Sequence, residues 1–449
     1  MKYTEKQIKE GVKLHLIQND RFKTNLMAVF LTVPLDKKTV TQNAILPAVL
    51  RRGTKNMQTQ EEISIELEEM YGAVFDCGVE KEGDNQILKF YIEVINDEFI
   101  PEEDSGLSER AIHNLLDIVF NPNIKEDAFK IEYVEQEKVN LKHIIEGKTD
   151  NKARYALERC IEEMYKNESY SLYKYGYMEN IENIKNDNLY ASYKELLDNC
   201  KIDIYISGII NENIIQYIEK NENIKSLKPR NPKYIPNEVN SKKEIEKINI
   251  ISENLDVTQG KLVLGLKLLL RNQDEQYDAI IYNGILGGTA NSKLFQNVRE
   301  KASLAYTAGS TYVKMKNTIY INCGIEIENY QKALDIIKKQ IEDMSTGNFT
   351  EEEVENAKKG YISALKTIEN EQDSELIYYF GKEFNKNELS FEDYEKRIEK
   401  VKKEDVLKVA KLVKIDTIYF LQNGSIKIDN IRRSWCKLFR IPKLKKLYI

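Results

Sequence analysis

One unit occurs twice in this sequence, and the repeat limits the possible folds more than any other feature. Lys201-Ile202-Asp203-Ile204-Tyr205-Ile206-Ser207-Gly208 reads as a strand halted by glycine, and Lys414-Ile415-Asp416-Thr417-Ile418-Tyr419-Phe420, leading to Gly424, repeats it. The two segments start 213 residues apart (414 − 201). Each follows a helical stretch with a similar entry, Lys185-Asn186-Asp187-Asn188-Leu189 and Lys402-Lys403-Glu404-Asp405-Val406. Acidic and amide residues in a first helical turn suit the positive end of the helix dipole. A repeat this long predicts two homologous domains, because solenoid units recur every 20–50 residues or so.

Within each half, β-rich runs alternate with longer helical patterns. Val12–Val33 reads as two strands around Asn19-Asp20, and Ile87–Ile95 and Thr318–Ile325 read as strands that precede helices. Glu61–Tyr71, Glu109–Phe120 and Phe129–Ile145 have helical spacing. Sheets followed by clustered helices predict α+β layers. Residues 223–243 hold Pro229, Pro232 and Pro236 among Lys, Asn and Ser, a composition that favours an extended linker. The expected division is therefore 1–222, a linker at 223–243, a second domain at 244–425 and a tail at 426–449.

A length of 449 residues suffices to bury two proper cores. The formal net charge of -6 suggests neither bulk nucleic-acid binding nor an acid-rich disordered protein. No signal peptide or membrane span is visible, since the longest apolar run, Leu262–Leu270, is short and contains Lys267. The five cysteines (Cys77, Cys160, Cys200, Cys323, Cys436) are an odd number without close pairs, which favours reduced thiols in the cytoplasm. Phosphate-loop and dinucleotide fingerprints are absent, as are H-x-x-E-H and H-E-x-x-H. The three histidines (His15, His113, His143) fit packed or surface roles better than metal ligation.

Two segments carry the remaining signal. The first is Asn43-Ala44-Ile45-Leu46-Pro47-Ala48-Val49-Leu50-Arg51-Arg52-Gly53-Thr54. The second is Gly284-Ile285-Leu286-Gly287-Gly288-Thr289-Ala290-Asn291-Ser292-Lys293-Leu294-Phe295-Gln296-Asn297-Val298-Arg299-Glu300-Lys301-Ala302-Ser303-Leu304-Ala305-Tyr306. The second closely resembles the signature of the insulinase/pitrilysin peptidases, the inverzincins: a glycine-rich turn, then Ser-x-Leu-Phe, V-R-E-K and L-A-Y. The first resembles that family's inverted zinc helix without its chemistry. Anchored on Gly53-Thr54, the resemblance puts the two family histidines at Ala44 and Ala48 and the catalytic glutamate at Pro47. Two imidazoles four residues apart can share a metal, whereas two methyl groups cannot. Proline offers no carboxylate and no backbone N–H, so the helix is expected to kink at Pro47 or to start late, with Asn43 or a neighbour as cap. The family's third ligand, seven residues after a glutamate fitted by Glu137, falls at Ile144.

The resemblance implies two homologous α+β domains, each an antiparallel-rich sheet with clustered helices, forming a clam-like shell. It implies no metal and no cofactor in this protein. In active relatives the arginine and tyrosine of the second signature bind substrate and stabilise the oxyanion, and here they stand as Arg299 and Tyr306, beside a loop of Gly284, Gly287 and Gly288. A developing oxyanion needs such preorganised donors. The leading expectation is a zinc-less subunit that lends Arg299 and Tyr306 to a zinc-bearing sister peptidase and encloses peptide or unfolded polypeptide. The alternative is a structural or chaperone-like subunit without catalytic contribution. Cys160–Met164 and Leu172–Gly176 look most like a zinc-less bacterial group named for association with the 5-aminopentanol modification of elongation factor P; a zinc-less member also occurs in subtilosin-type bacteriocin maturation. The 426–449 tail departs from the family pattern. With eight Lys or Arg against one Asp, and Ile431, Trp435, Leu438 and Phe439 at helical spacing, it could meet an anionic membrane or an acidic partner, dock on the protein's own surface, or stay disordered.

Overall fold

The computed structural model describes residues 2–235, 247–385 and 389–424. The second part of the linker, 236–243 with Pro236, and the basic tail lie outside the described residues.

The first half runs through strands β1 (Lys2–Lys9), β2 (Val12–Gln18) and β3 (Thr24–Pro34), helices α1 (Val40–Leu50) and α2 (Gln60–Glu69), and strands β4 (Val74–Glu82) and β5 (Asn85–Ile95). Helix α3 (Leu107–Phe120), a ribbon of β6 (Ile124–Lys125) and β7 (Ala128–Phe129), and helices α4 (Ile131–Glu146), α5 (Lys152–Met164), α6 (Met178–Ile181) and α7 (Asn186–Asn199) follow. Strand β8 (Lys201–Gly208) and helices α8 (Glu212–Lys220) and α9 (Glu222–Ser226) close it. Residues 223–226, expected in the linker, instead complete α9, because the Asn221 side chain accepts from the Asn223 and Ile224 N–H groups and caps it.

The second half repeats this order with fewer additions: β9 (Asn249–Asn254), β10 (Gly260–Leu268), α10 (Glu275–Asn283), β11 (Ala305–Val313), β12 (Thr318–Ile325), α11 (Tyr330–Thr346), α12 (Glu351–Glu369), α13 (Gln372–Asn385), α14 (Phe391–Glu399), α15 (Lys403–Ala410) and β13 (Val413–Gln422). The sheets confirm the duplication. The first has the order β1-β2-β8-β3-β5-β4 and the second β11-β12-β10-β13-β9. Without β1 the two are the same sheet, with β2 matched by β9, β8 by β13, β3 by β10, β5 by β12 and β4 by β11. Both have one parallel pair, β2/β8 and β9/β13, in the same place. Even the shared helix entry has one mechanism: Asn188 accepts from the Lys185 N–H at 2.9 Å and Asp405 from the Lys402 N–H at 3.3 Å.

Each sheet is apolar on both faces. In β3, Met27, Val29 and Leu31 join the core under the first half's own helices, while Leu26, Ala28 and Phe30 face residues of the second half. In β10 the leucines at 262, 264, 266 and 268 face the second half's helices, and Val263 faces α5 of the first. Each half thus lays a helix on the other's sheet, and the two helices are counterparts in sequence order. Helix α5 brings Ala156, Cys160 and Met164, spaced four apart on one face, onto β10, β12 and β13. There Gly265 leaves room, since a Cβ would stand 2.6 Å from the Met164 sulfur. Helix α13 brings Leu376, Phe380 and Phe384, with Phe380 on Phe30 at 4.3 Å between ring centres and Gln372 donating to the Ser207 carbonyl at 2.9 Å. Polar contacts fasten the rim: Arg21 to Glu375 at 3.1 Å, and Lys316 to Asp84 at 2.8 Å and Glu168 at 3.1 Å.

Phe380→Ala should destabilise the whole protein by about 3–5 kcal/mol. A single urea transition shifted to lower denaturant would bear this out; loss of the second half's signal alone would show that the halves fold separately.

Candidate functional site

Helix α1 follows β3 and lies almost wholly buried. It begins at Val40 with Thr39 at the N-cap, so the expected late start at Asn43 is not found. The Asn43 side chain is committed elsewhere: its Nδ2 donates to Gln86 Oε1 at 3.1 Å, and Gln86 Nε2 donates to the Val40 carbonyl at 3.0 Å. These bonds pin the helix to β5 and let it run through Pro47, beyond which the Arg51 N–H donates to the Pro47 carbonyl at 3.2 Å. Ala44 and Pro47 are buried and Ala48 is half-buried. Ala44 and Ala48 share a face, so the geometry for two ligands survives without a donor atom on either.

Among the described residues, what surrounds these positions does not supply a metal site. Glu137 on α4 is 5% exposed, and both Nε and a terminal nitrogen of Arg52 donate to its Oε1, the first at 2.5 Å. Its other oxygen accepts from Asn140 Nδ2 at 2.9 Å. Ile144, two turns further on the same helix, is 45% exposed. The thiol of Cys77 on β4 donates to the Pro47 carbonyl at 3.3 Å, and burial pushes its pKa up to about 12 against the opposing charge of Arg51. A protonated thiol is neither nucleophile nor ligand at neutral pH. Ala44, Pro47, Ala48 and Ile144 therefore do not fit a zinc ion.

The histidines do not replace it. His15, buried in β2, has Nε2 3.0 Å from Asp203 Oδ1 and Nδ1 2.8 Å from the Tyr3 hydroxyl. Glu5 and Glu383 lie close to it, but Glu383 binds the ammonium groups of Lys13 and Lys201 at 3.1 and 2.8 Å. This cluster joins β1, β2, β8 and α13 as an inter-half anchor. His113 pairs with the Tyr217 hydroxyl at 2.5 Å.

The second signature forms a coherent site. Gly284–Gly288 is a π-helical turn at the end of α10, and Phe295–Lys301, holding Arg299, is another; such turns recur at functional positions. Gly287 is required by close approach, since a Cβ would stand 2.6 Å from Ser310 Oγ and 2.7 Å from Leu294 Cδ1. Arg299 lies over the Phe295 ring at 4.6 Å and only loosely meets Glu300, at 3.7 Å. Tyr306 sits where β11 slips register against β12, between Ala305 and Thr307. A bulge re-aims its residue, and Tyr306 is 67% exposed instead of packed at the strand start. Gly287, Arg299 and Tyr306 share an open cavity of about 410 Å³ lined wholly by the second half. Gly284 and Gly288 line a second cavity instead. Sequence reading missed the Arg52–Glu137 pair, the Cys77 contact and the second cavity; the small residues at Ala357, Gly360 and Ala364 were the visible sign of the last.

Residues 183–361 match the family model described as the peptidase M16 inactive domain. The sequence is 33% identical over 420 residues to the "Probable inactive metalloprotease YmfF" of Bacillus subtilis (strain 168), covering 92% of this chain and 96% of that protein. Among solved structures, a conserved protein from Enterococcus faecalis V583 is 26% identical with a TM-score of 0.85, covering 95% of this chain and 99% of that one. A peptidase M16 inactive domain from Pseudomonas fluorescens, 16% identical with a TM-score of 0.76, shares the fold over 95% of this chain and 100% of its own. Among the described residues no helix is long and apolar enough to cross a membrane.

Two outcomes are expected. Elemental analysis of protein purified without added metal should find no stoichiometric zinc; one tightly held zinc per molecule would contradict the reading of α1. Arg52→Met should cost about 3–5 kcal/mol in a denaturant titration, because it strands the Glu137 carboxylate in the interior.

Proposed function

Since the chain belongs to the peptidase M16 family as an inactive homologue, we propose that it serves as the non-catalytic subunit of a zinc-bearing sister peptidase, lending Arg299 and Tyr306 to peptide cleavage at the partner's centre. The observation that carries this reading is the contrast between the two copies. Ala44, Pro47 and Ala48 hold no donor for a metal or a water, whereas Arg299 and Tyr306 stay together on an exposed cavity with no catalytic centre of this protein in its lining. The Arg299 guanidinium is stacked on Phe295, and the bulge turns Tyr306 toward solvent on the same cavity. A guanidinium and a phenol offer hydrogen bonds to an oxyanion as it forms. The exposed carbons of Tyr306 and Phe295 would also suit the backbone and side chains of an extended peptide.

Co-expression with a zinc-bearing sister should give a heterodimer that cleaves peptides which neither subunit cleaves alone. Arg299→Ala and Tyr306→Phe should leave the heterodimer assembled and each lower kcat/KM by about a hundredfold, the usual loss when one oxyanion donor is removed. Full turnover by both variants would make the pair vestigial and leave the scaffold or chaperone role as the better account.

A further inference from the structure

The match between the halves gives every part of the first half's degenerate groove a counterpart. Helices α1 and α4 and strand β4 enclose the former metal position; α10, α12 and β11 stand in their places in the second half. In the first half the Arg52–Glu137 pair and the Cys77–Pro47 contact draw the elements together. In the second, a cavity of about 580 Å³ opens between them. Small-ligand sites range over roughly 300–1,000 Å³.

This slot has a floor of small residues and walls of tyrosine. Gly284 and Gly288 contribute from the π turn, and Ala357, Gly360 and Ala364 from one side of α12. Gly360 is neither cap nor turn, and a glycine inside a helix costs roughly 1 kcal/mol relative to alanine. Tyr361 and Tyr394 wall one end, with the Tyr361 hydroxyl donating to that of Tyr394 at 3.4 Å. Lys314 is half-buried at the same end, its ammonium over the rings of Tyr277 and Tyr394 at 5.4 and 5.5 Å. Burial lowers its pKa to about 8, so at neutral pH the ammonium is mostly charged and incompletely solvated. Among the described residues Lys314 is the one charged residue in the lining, and tyrosine hydroxyls accompany it, so a single positive charge is there to balance one carboxylate. The slot shares Ser310 and Thr311 with the Arg299–Tyr306 cavity, so the two adjoin along β11.

We propose that this slot binds an apolar residue of an extended polypeptide together with a carboxylate, the carboxylate at Lys314 and the hydrocarbon over Ala357, Gly360 and Ala364. The proposal rests on the peptide-handling role above and names the chemistry that this subunit selects. The C-terminus of a polypeptide or an acidic residue within it could supply the carboxylate.

The test is fluorescence anisotropy of the full-length protein with four labelled nine-residue peptides on one unstructured spacer. They end in Leu-Phe as the free acid, in Leu-Phe as the amide, in an internal Phe-Glu with an amidated terminus, or in the matching Phe-Gln. At least one carboxylate peptide should bind tenfold or more tighter than its carboxamide partner, and the two pairs tell terminus from side chain. Lys314→Gln should erase that preference. Ala364→Phe, at an exposed position, should weaken binding about tenfold with Tm unchanged. Equal binding of acid and amide, a preference that survives Lys314→Gln, or no binding by the parent would each overturn the proposal. The slot variants should bind the zinc-bearing sister as the parent does, and turnover that depends on Arg299 and Tyr306 but not on the slot would remove this inference while leaving the subunit role intact.

Discussion

The reciprocal placement of α5 and α13 is the constraint on which the rest of the structure depends. A sheet apolar on both faces must be covered on both. Here each half covers one face of its own sheet and leaves the other to its counterpart. Without α13, Phe30, Leu26 and Tyr205 would meet water; without α5, Val263, Tyr320 and Tyr419 would. The duplicated order explains why the exchange is symmetrical. The third helix after β5 is α5 and the third after β12 is α13, so one packing rule applied to both copies locks them together.

That lock also fixes how the two copies of the groove differ. Strands β4 and β11 are counterparts at sheet edges, and each lies beside the helix that follows its copy's β3-type strand. In the first copy the groove is core-like: it holds proline and alanines, a carboxylate is neutralised by Arg52, and a thiol is held protonated. In the second copy the irregularities remain. Two π turns, a bulge at Tyr306 and the left-handed backbone of Ser303 (φ 52°) cluster within one segment. Such features weaken local hydrogen bonding and persist where surrounding packing over-determines them. The close approach of Gly287 to Ser310 and Leu294 is packing of that kind.

Much of this was legible in residues. The Lys-Ile-Asp strands announced the duplication, and their topology agrees down to the single parallel pair in each sheet. Val12–Val33 reads as two strands around Asn19-Asp20, as found, and Ala44, Pro47 and Ala48 offer no metal ligand by their chemistry alone. Other points were read less well. Asn43 has the composition of a cap, but Gln86, forty-three residues later, takes its amide and the helix starts a turn earlier. Residues 223–226 have linker composition, yet Asn221 caps them into a helix. In both cases a side chain outside the local pattern supplied the deciding hydrogen bond.

The sequence by itself determined the two-copy α+β plan, the absence of a metal-binding side chain at Ala44, Pro47 and Ala48, and the presence of an arginine and a tyrosine in the second signature. Each is a matter of residue type and local period, which a linear polymer states directly. The tertiary structure alone decided which helix covers which sheet, that Arg52 neutralises Glu137, that Tyr306 points outward and that the second copy keeps an open slot. Those outcomes depend on contacts such as Phe30 with Phe380, and on a one-residue slip between β11 and β12. Such contacts join residues from 20 positions apart (Ala305 with Ile325) to 350 (Phe30 with Phe380), and no local pattern records which partner will be met.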